Sequence, residues 1–362
     1  MELFASRRFR PGRASSRGIV LPMTPPNAAI DNRDTPDYDG TLRAIADRLA
    51  SWEGPIVVVA HVDPDGDALG SALTVARALR ALGKDVTLPM EVPDYLAFLV
   101  EDGETSAPLE ALPEGTLLCV LDVADEARIA GAPTDGAAFV VNVDHHGTNA
   151  RFGDLALVTP SAAATAILAK DLVDALPVAW TADLATPCLT GVLTDTGTFR
   201  NANTDARAFA VAQDLVAHGV DYAALSDRLQ WRPPAYLKML AEALATLRLP
   251  FGGRCAMAEV SLAAKARIGG AKDENDDVID AIRYVEGSYV AVLLKQKEDA
   301  VKISVRSRPP VSAQAICVAM GGGGHVPAAG AKLEGSDLDA ARARVEAEVG
   351  RELARHGLTP DG

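Results

Sequence analysis

Two patterns of apolar residues alternate along this chain. Short continuous apolar runs read as strands buried on both faces. They occupy residues 56–60, 116–121 and 139–143, and residues 85–88 begin another. Between and after them, apolar positions recur at helical spacing over residues 41–52, 69–82, 161–176, 182–193 and 205–217. Gly83 stops the second of these helices. Strands alternating with helical stretches predict a parallel, doubly wound α/β sheet.

Pro233-Pro234 breaks the pattern, and residues 236–247 read as a connecting helix. The chain then changes character. Strands are expected at 254–260, 289–295 and 301–306, with helices at 276–285 and from Asp337 to the chain end. The expected architecture is α/β in two lobes. Residues 41–232 form the parallel-sheet domain and 233–250 a helical linker. Residues 251–362 form a smaller α/β domain on a mixed sheet. There is no internal repeat and no low-complexity block.

Composition adds limits. Residues 1–40 hold Arg7, Arg8, Arg10, Arg13 and Arg17, several prolines and little periodicity. A disordered tail, or a true start at Met23, is expected there rather than a transit peptide. The chain is 48% apolar but only 5% aromatic, so Ala, Val and Leu carry the packing. No apolar run approaches the ~20 residues of a membrane span. Cys119, Cys188, Cys255 and Cys317 are scattered in apolar contexts, which fits buried thiols in a reducing cytoplasm. The net charge of −14 and the lack of a basic stripe argue against a grip on long duplex nucleic acid. A small phosphorylated substrate held by a few placed cations remains compatible.

The chemistry gathers at strand ends. His61-Val62-Asp63-Pro64-Asp65-Gly66-Asp67 follows the first strand, Asp122 ends another, and Asp144-His145-His146 closes a third. Polar residues outside the carboxyl ends of parallel strands line the usual binding crevice of an open sheet. Clustered carboxylates and imidazoles there are costly unless paired or coordinating. The plainer alternative is a solvated turn in which Asp67 caps the next helix. Three acid-bearing strand ends in one sheet favour a divalent metal, and mixed His and Asp ligands suit Mn, Zn or Fe. Farther along, Gly321 to Gly324 is either a bend or a backbone nest for phosphate. Ser304 and Arg306 share one face of their strand with Lys302, where Arg306 would clamp a phosphate or simply meet solvent. Arg200 and Arg283 are candidates of the same kind, weighed against surface ion pairs.

Taken together these motifs resemble the DHH phosphoesterase superfamily. Its pattern is D-x-D, then D, then D-H-H, then D. Here it is met by Asp65-Gly66-Asp67, Asp122, Asp144-His145-His146 and Asp195. The smaller lobe resembles the DHH-associated C-terminal domain through Gly322-Gly323-Gly324-His325. His61 through Ser71 is similar to the first motif of the nanoRNase and pAp phosphatase branch, although Asp63 stands where Asn is frequent. The resemblance implies two divalent ions, manganese by expectation. One would be held by His61, Asp65 and Asp122, the other by Asp67, Asp122, His145 and Asp195, with Asp122 shared. Two ions ~3.5–4 Å apart would hold the attacking hydroxide and stabilise the departing oxygen. His146 would meet the scissile phosphate and Asp144 would orient an imidazole. Arg200, Arg283, Ser304, Arg306, Gly322, Gly323, Gly324 and His325 would bind substrate, captured in a cleft between the lobes.

The implied substrates are short RNA oligonucleotides, linear dinucleotides and 3′-phosphoadenosine 5′-phosphate (pAp), handled by a cytoplasmic enzyme. A homodimer is left open. The rivals are a cyclic-dinucleotide phosphodiesterase, a RecJ-like single-strand exonuclease, a family II-type pyrophosphatase and a non-catalytic nucleotide sensor. A RecJ-like enzyme would want a basic groove with aromatic platforms, and a sensor would be favoured by a lost ligand position. The chain shows neither.

Overall fold

The computed structural model describes residues 35–268 and 278–358. These divide into two compact units, up to Leu229 and from Gln230.

The first unit is built on five parallel strands. They are β1 (Ile56–Val59), β2 (Val86–Thr87), β3 (Leu117–Leu121), β4 (Phe139–Asp144) and β5 (Leu155–Val158), in the order β2-β1-β3-β4-β5. The order reverses between β1 and β3, where open sheets leave a crevice at the strand carboxyl ends. One face carries α1 (Tyr38–Ser51), α2 (Gly66–Ala81) and α3 (Thr165–Asp174), which bury Leu49, Leu69, Leu73 and Leu172 against Ile56, Val58 and Leu117. On the other face Val57, Val59, Leu118 and Val120 are covered by Leu109, Leu112, Ile129 and Ala137 from irregular chain. A helical layer follows: α4 (Ala182–Asp195), α5 (Ala206–Ala217) and α6 (Tyr222–Gln230). Here α4 packs on α2 and α3 rather than on the sheet.

That helix crossing is unusually close. A Cβ at Gly70 would lie 2.3 Å from the Pro187 carbonyl oxygen, and one at Gly191 would lie 2.6 Å from the Ala166 Cβ and 2.8 Å from Asp67 Oδ1. Only glycine lets α4 come this near to Asp67.

The second unit holds a mixed sheet in the order β6-β7-β8-β10-β9. Its strands are β6 (Cys255–Val260), β7 (Val290–Gln296), β8 (Ala300–Ser307), β9 (Gly323–His325) and β10 (Ala328–Glu334). β6 runs parallel to β7, and the other pairings are antiparallel. Alternate residues such as Val292, Ile303, Val305 and Ala331 pack against α10 (Ala313–Val318) and α11 (Leu338–Arg355). The opposite residues of β6 and β7 pack against α7 (Pro234–Ala245), α8 (Leu262–Ile268) and α9 (Val278–Ile282). α7, which reads as a connecting helix in the sequence, thus buries Met239 and Ala243 in the core of this unit. The expected helix at 276–285 begins outside the described residues. The glycine stretch, expected as a bend or nest, turns at Gly321 (φ 82°) and then enters the edge strand β9 at Gly323. No described helix is long and apolar enough to cross a membrane.

Candidate metal centre

Each strand end at the sheet's turning point delivers its polar residue inward. Asp65 caps α2 by accepting the N–H groups of Asp67 (3.0 Å) and Ala68 (3.1 Å). The cap is therefore Asp65, not Asp67 as the plainer sequence reading has it. Freed from capping α2, Asp67 is fully buried. Its Oδ2 accepts from Thr165 N–H (2.6 Å), and its Oδ1 from Ala166 N–H (2.8 Å) and Ser71 Oγ (3.2 Å). The N–H groups at the start of α3, which have no partner within the helix, thus hold this carboxylate, as helix N-termini hold anions generally. Asp122 follows β3 at φ 60°, a left-handed conformation that Asp tolerates better than most residues.

The tautomers of two histidines follow from their partners. His61 Nδ1 lies 2.8 Å from the Val62 carbonyl oxygen and His145 Nδ1 lies 3.2 Å from that of Ala162. A carbonyl only accepts, so Nδ1 carries the proton in each ring and Nε2 is left toward the carboxylates. His61 Nε2 is 3.6 Å from Asp122 Oδ2 and 3.9 Å from Asp65 Oδ1. His145 Nε2 is 3.3 Å from Asp195 Oδ2, 3.6 Å from Asp122 Oδ1 and 3.9 Å from Asp67 Oδ2. Asp122 therefore turns one oxygen to each imidazole, and Thr165 Oγ1 donates to its Oδ1 (2.9 Å). His146 differs. Its Nδ1 is engaged by Asp144 Oδ1 at 2.7 Å, with Asp144 fully buried beneath it.

The electrostatics call for a cation. Burial pushes Asp67 well above the usual carboxylate range, and the charges of Asp122, Asp195 and Asp65 push it the same way. Burial, then Asp65 and Asp122, raise Asp195 to about 8. For Asp122 burial also pushes up, but His61, His145 and His146 outweigh it and hold the carboxyl low. His146 is raised to about 9, chiefly by its bond to Asp144. Crowded carboxylates that resist ionising beside aligned imidazole lone pairs are the donor set of a divalent site. Two groups fit, His61/Asp65/Asp122 and Asp67/His145/Asp195, each with its donor atoms within 4.8 Å of one another. A third combination, Asp122/His145/His146, has the same compactness. There the His146 Nδ1 that lies 3.6 Å from Asp122 Oδ1 is already engaged by Asp144.

The substrate-binding candidates fall in separate places. Arg200 is exposed in the first unit, five residues past Asp195, with Nε donating to the Gly197 carbonyl (2.7 Å). In the second unit, Arg283 Nη1 and Arg306 Nε both approach Asp280 Oδ1, at 3.4 and 3.8 Å. Arg306 pairs across the sheet with Ala328 and Ser304 with Gly330; these in turn pair with His325 and Gly323. The predicted residues of this unit other than Arg283 and Gly322 thus form adjoining rows. Gly322 and Gly324 are glycine for packing, since a Cβ would lie 2.2 Å from the Gly330 carbonyl oxygen or 2.6 Å from the Ala329 Cα. A Cβ at Gly323 would meet nothing within 4 Å. Sequence reading missed Thr165, Ala166 and Asn149, which hold the carboxylates, and gave no role to Ser71, which closes the first motif. Thr165 and Ala166 act through a small side chain or a bare backbone amide, which leave no motif.

Comparison with known proteins gives this geometry a family. The model of the DHH family, N-terminal domain, matches residues 55–192, and that of the DHHA1 domain matches residues 259–351. The chain belongs to the DHH family. Among its relatives is the bifunctional oligoribonuclease and PAP phosphatase NrnA of Thermus thermophilus. It is 50% identical over 326 residues, covering 90% of this chain and 98% of that protein. The Bacillus subtilis protein of the same name is 25% identical over 295 residues, covering 79% and 91%. A solved exopolyphosphatase-related protein from Bacteroides fragilis shares the fold, with a TM-score of 0.75 and 19% identity over 85% of this chain and 96% of that one.

Proposed function

We propose that this chain is a metal-dependent phosphoesterase that degrades short RNA oligonucleotides to mononucleotides and removes the 3′-phosphate of pAp. The observation that carries the reading is Asp122, whose two oxygens face two different imidazoles and so suit a carboxylate shared by two ions. His61, Asp65 and Asp122 would hold one ion, and Asp67, Asp122, His145 and Asp195 the other. Their mixed nitrogen and oxygen donors suit manganese. Bound divalent ions supply an acidified water and positive charge for the attacking and departing oxygens.

The chain's own residues do the rest. Asp144 holds the proton on His146 Nδ1 and so presents Nε2 to the scissile phosphate. Buried Asp67 and Thr165 keep the ligand set rigid before substrate arrives. Arg306, Ser304, Gly322 to Gly324 and His325 would seat the substrate's far end, with Arg283 and Arg200 as further phosphate contacts. Four buried free thiols suit such an enzyme to the cytoplasm. The 50% identity to an oligoribonuclease and PAP phosphatase across nearly its whole length supports this substrate class.

The test is a product time course with Mn2+ on end-labelled RNA 2-mers, 5-mers and 24-mers, with pAp, cyclic di-AMP and pyrophosphate alongside. Fast loss of the 2-mer, the 5-mer and pAp is expected. Preference for the 24-mer would indicate a processive exonuclease, and turnover of only cyclic di-AMP or pyrophosphate would sink the reading.

A further inference from the structure

Asn149 is tied to this site at both ends of its amide. It lies in the loop between β4 and β5. Its Oδ1 accepts the Arg151 N–H (2.6 Å), and a backbone N–H only donates, so the amide's orientation is fixed. Its Nδ2 then points at acceptors. It donates to Asp144 Oδ2 at 2.7 Å and to the Val123 carbonyl at 2.9 Å, with Asn142 Oδ1 at 3.3 Å. Asp144's other oxygen is the one that holds His146 Nδ1 at 2.7 Å. A continuous chain thus runs from the Arg151 amide through Asn149 and Asp144 to His146. The same Asn149 amide bonds the residue after Asp122, so it also spans the ends of β3 and β4.

Burial makes this chain consequential. Asp144 is fully buried, and without Asn149 its Oδ2 would lose its side-chain donor. A buried carboxylate that loses the donor to one oxygen is free to turn toward another, and that rotation releases the imidazole held by its other oxygen. Asn142 completes the arrangement. It is fully buried in β4, two residues before Asp144, and its own Nδ2 finds no partner among the described residues. Asn142 and Asp144 thus set the Asn149 amide among buried polar groups, where low dielectric strengthens each hydrogen bond it makes.

We infer that Asn149 is the positioning residue of the phosphate-facing histidine. By donating to Asp144 it locks the carboxylate in the one orientation that keeps the proton on His146 Nδ1 and Nε2 toward the phosphate. This rests on the role given to His146 above.

The experiment compares Asn149→Ala and Asn149→Asp in the full chain, each alone and combined with His146→Ala. It uses Mn2+ and a 2-mer RNA, and thermal melting confirms folding. Loss of a group that orients a first contact typically costs about 10- to 100-fold, and that fall is expected in kcat. KM should stay within about twofold, since the groups that would seat the substrate's far end are untouched. Asn149→Asp keeps the shape and the Arg151 contact but sets a carboxylate against Asp144, so it should fail as Ala does. In the His146→Ala background neither variant should cost anything further. Proton spectra, taken with diamagnetic Mg2+ in place of Mn2+, supply a readout apart from turnover: the downfield His146 Nδ1–H resonance should be lost or shifted in both variants. That signal is readable whether or not RNA is cleaved, so a wrong substrate assignment does not obscure it. An unchanged resonance, a fully active Asn149→Asp, or a loss additive with His146→Ala would overturn the inference. Wild-type turnover by His146→Ala itself would remove His146's role, and the positioning role with it.

Discussion

At the scale of single residues, the site depends on how each carboxylate oxygen is occupied. Asp122 gives one oxygen to the His61 side and the other to the His145 side, so its loss strikes both halves at once. Asp122→Ala should lower turnover of every substrate by at least about a thousandfold, near 4 kcal/mol of barrier. Clear residual activity at full metal occupancy would refute the shared role. Thr165 Oγ1 donates to the same carboxylate. Thr165→Val keeps the volume and the backbone bond to Asp67 but removes that donor. Metal affinity should drop about 10- to 100-fold, which a calorimetric Mn2+ titration would read. Arg306→Ala, in contrast, should raise KM with kcat nearly unchanged, because it removes binding rather than chemistry. His61, Asp65, Asp67, Asp122 and His145 were legible in the sequence because metal chemistry needs His and Asp, and those types stood together at strand ends; Asp195, at the end of α4, was marked only by the family resemblance. Their supports were not legible. Ala166 contributes only its backbone N–H, and Asn149 gains meaning only once Asp144 is known to lie beneath it.

At the scale of elements, the α2–α4 crossing sets how close the ligand-bearing segments can come. Gly191→Ala would place a methyl group within 2.8 Å of Asp67 Oδ1 and 2.6 Å of the Ala166 Cβ. Overpacking of this kind costs about 1–3 kcal/mol, and here it should also weaken Mn2+ binding by displacing Asp67. Gly323→Ala is the control, since nothing lies within 4 Å of the added carbon, and it should leave the melting temperature unchanged. Equal effects of the two substitutions on melting would contradict the close-packing account. The sequence announced β1, β3 and β4 because strands buried on both faces are continuous apolar runs. It hid β9 and β10, where Gly and Ala dominate and side-chain alternation carries little contrast. β5 is four residues at a sheet edge and α6 is short and polar, so neither has enough period to be read. The architecture was still inferable from the alternation of the remaining elements. The close approach of α4 to α2 was not, because a glycine pattern in sequence does not say what it lies against.

At the scale of the molecule, charge bears on substrate length. The chain carries −14 overall, a total that includes the four aspartates of the two groups that would hold metal. Bound ions offset that charge locally, within the few ångströms over which they touch substrate. Beyond a Debye length of about 10 Å at 0.1 M salt, an approaching polyanion is screened from the rest of the surface. At low salt a long RNA therefore meets repulsion that a 2-mer, confined to the neutralised site, escapes. The contacts at the scissile phosphate are common to both lengths and cancel in the ratio of their rates. The 24-mer to 5-mer ratio of kcat/KM should thus rise as salt is raised from about 20 to 200 mM, as screening relieves the long-range term. A protein that tracks nucleic acid by phosphate contacts does the opposite, losing affinity steeply over the same range. A falling ratio would mean that the surface beyond the site is locally basic where RNA passes, and that the preference for short substrates has another source.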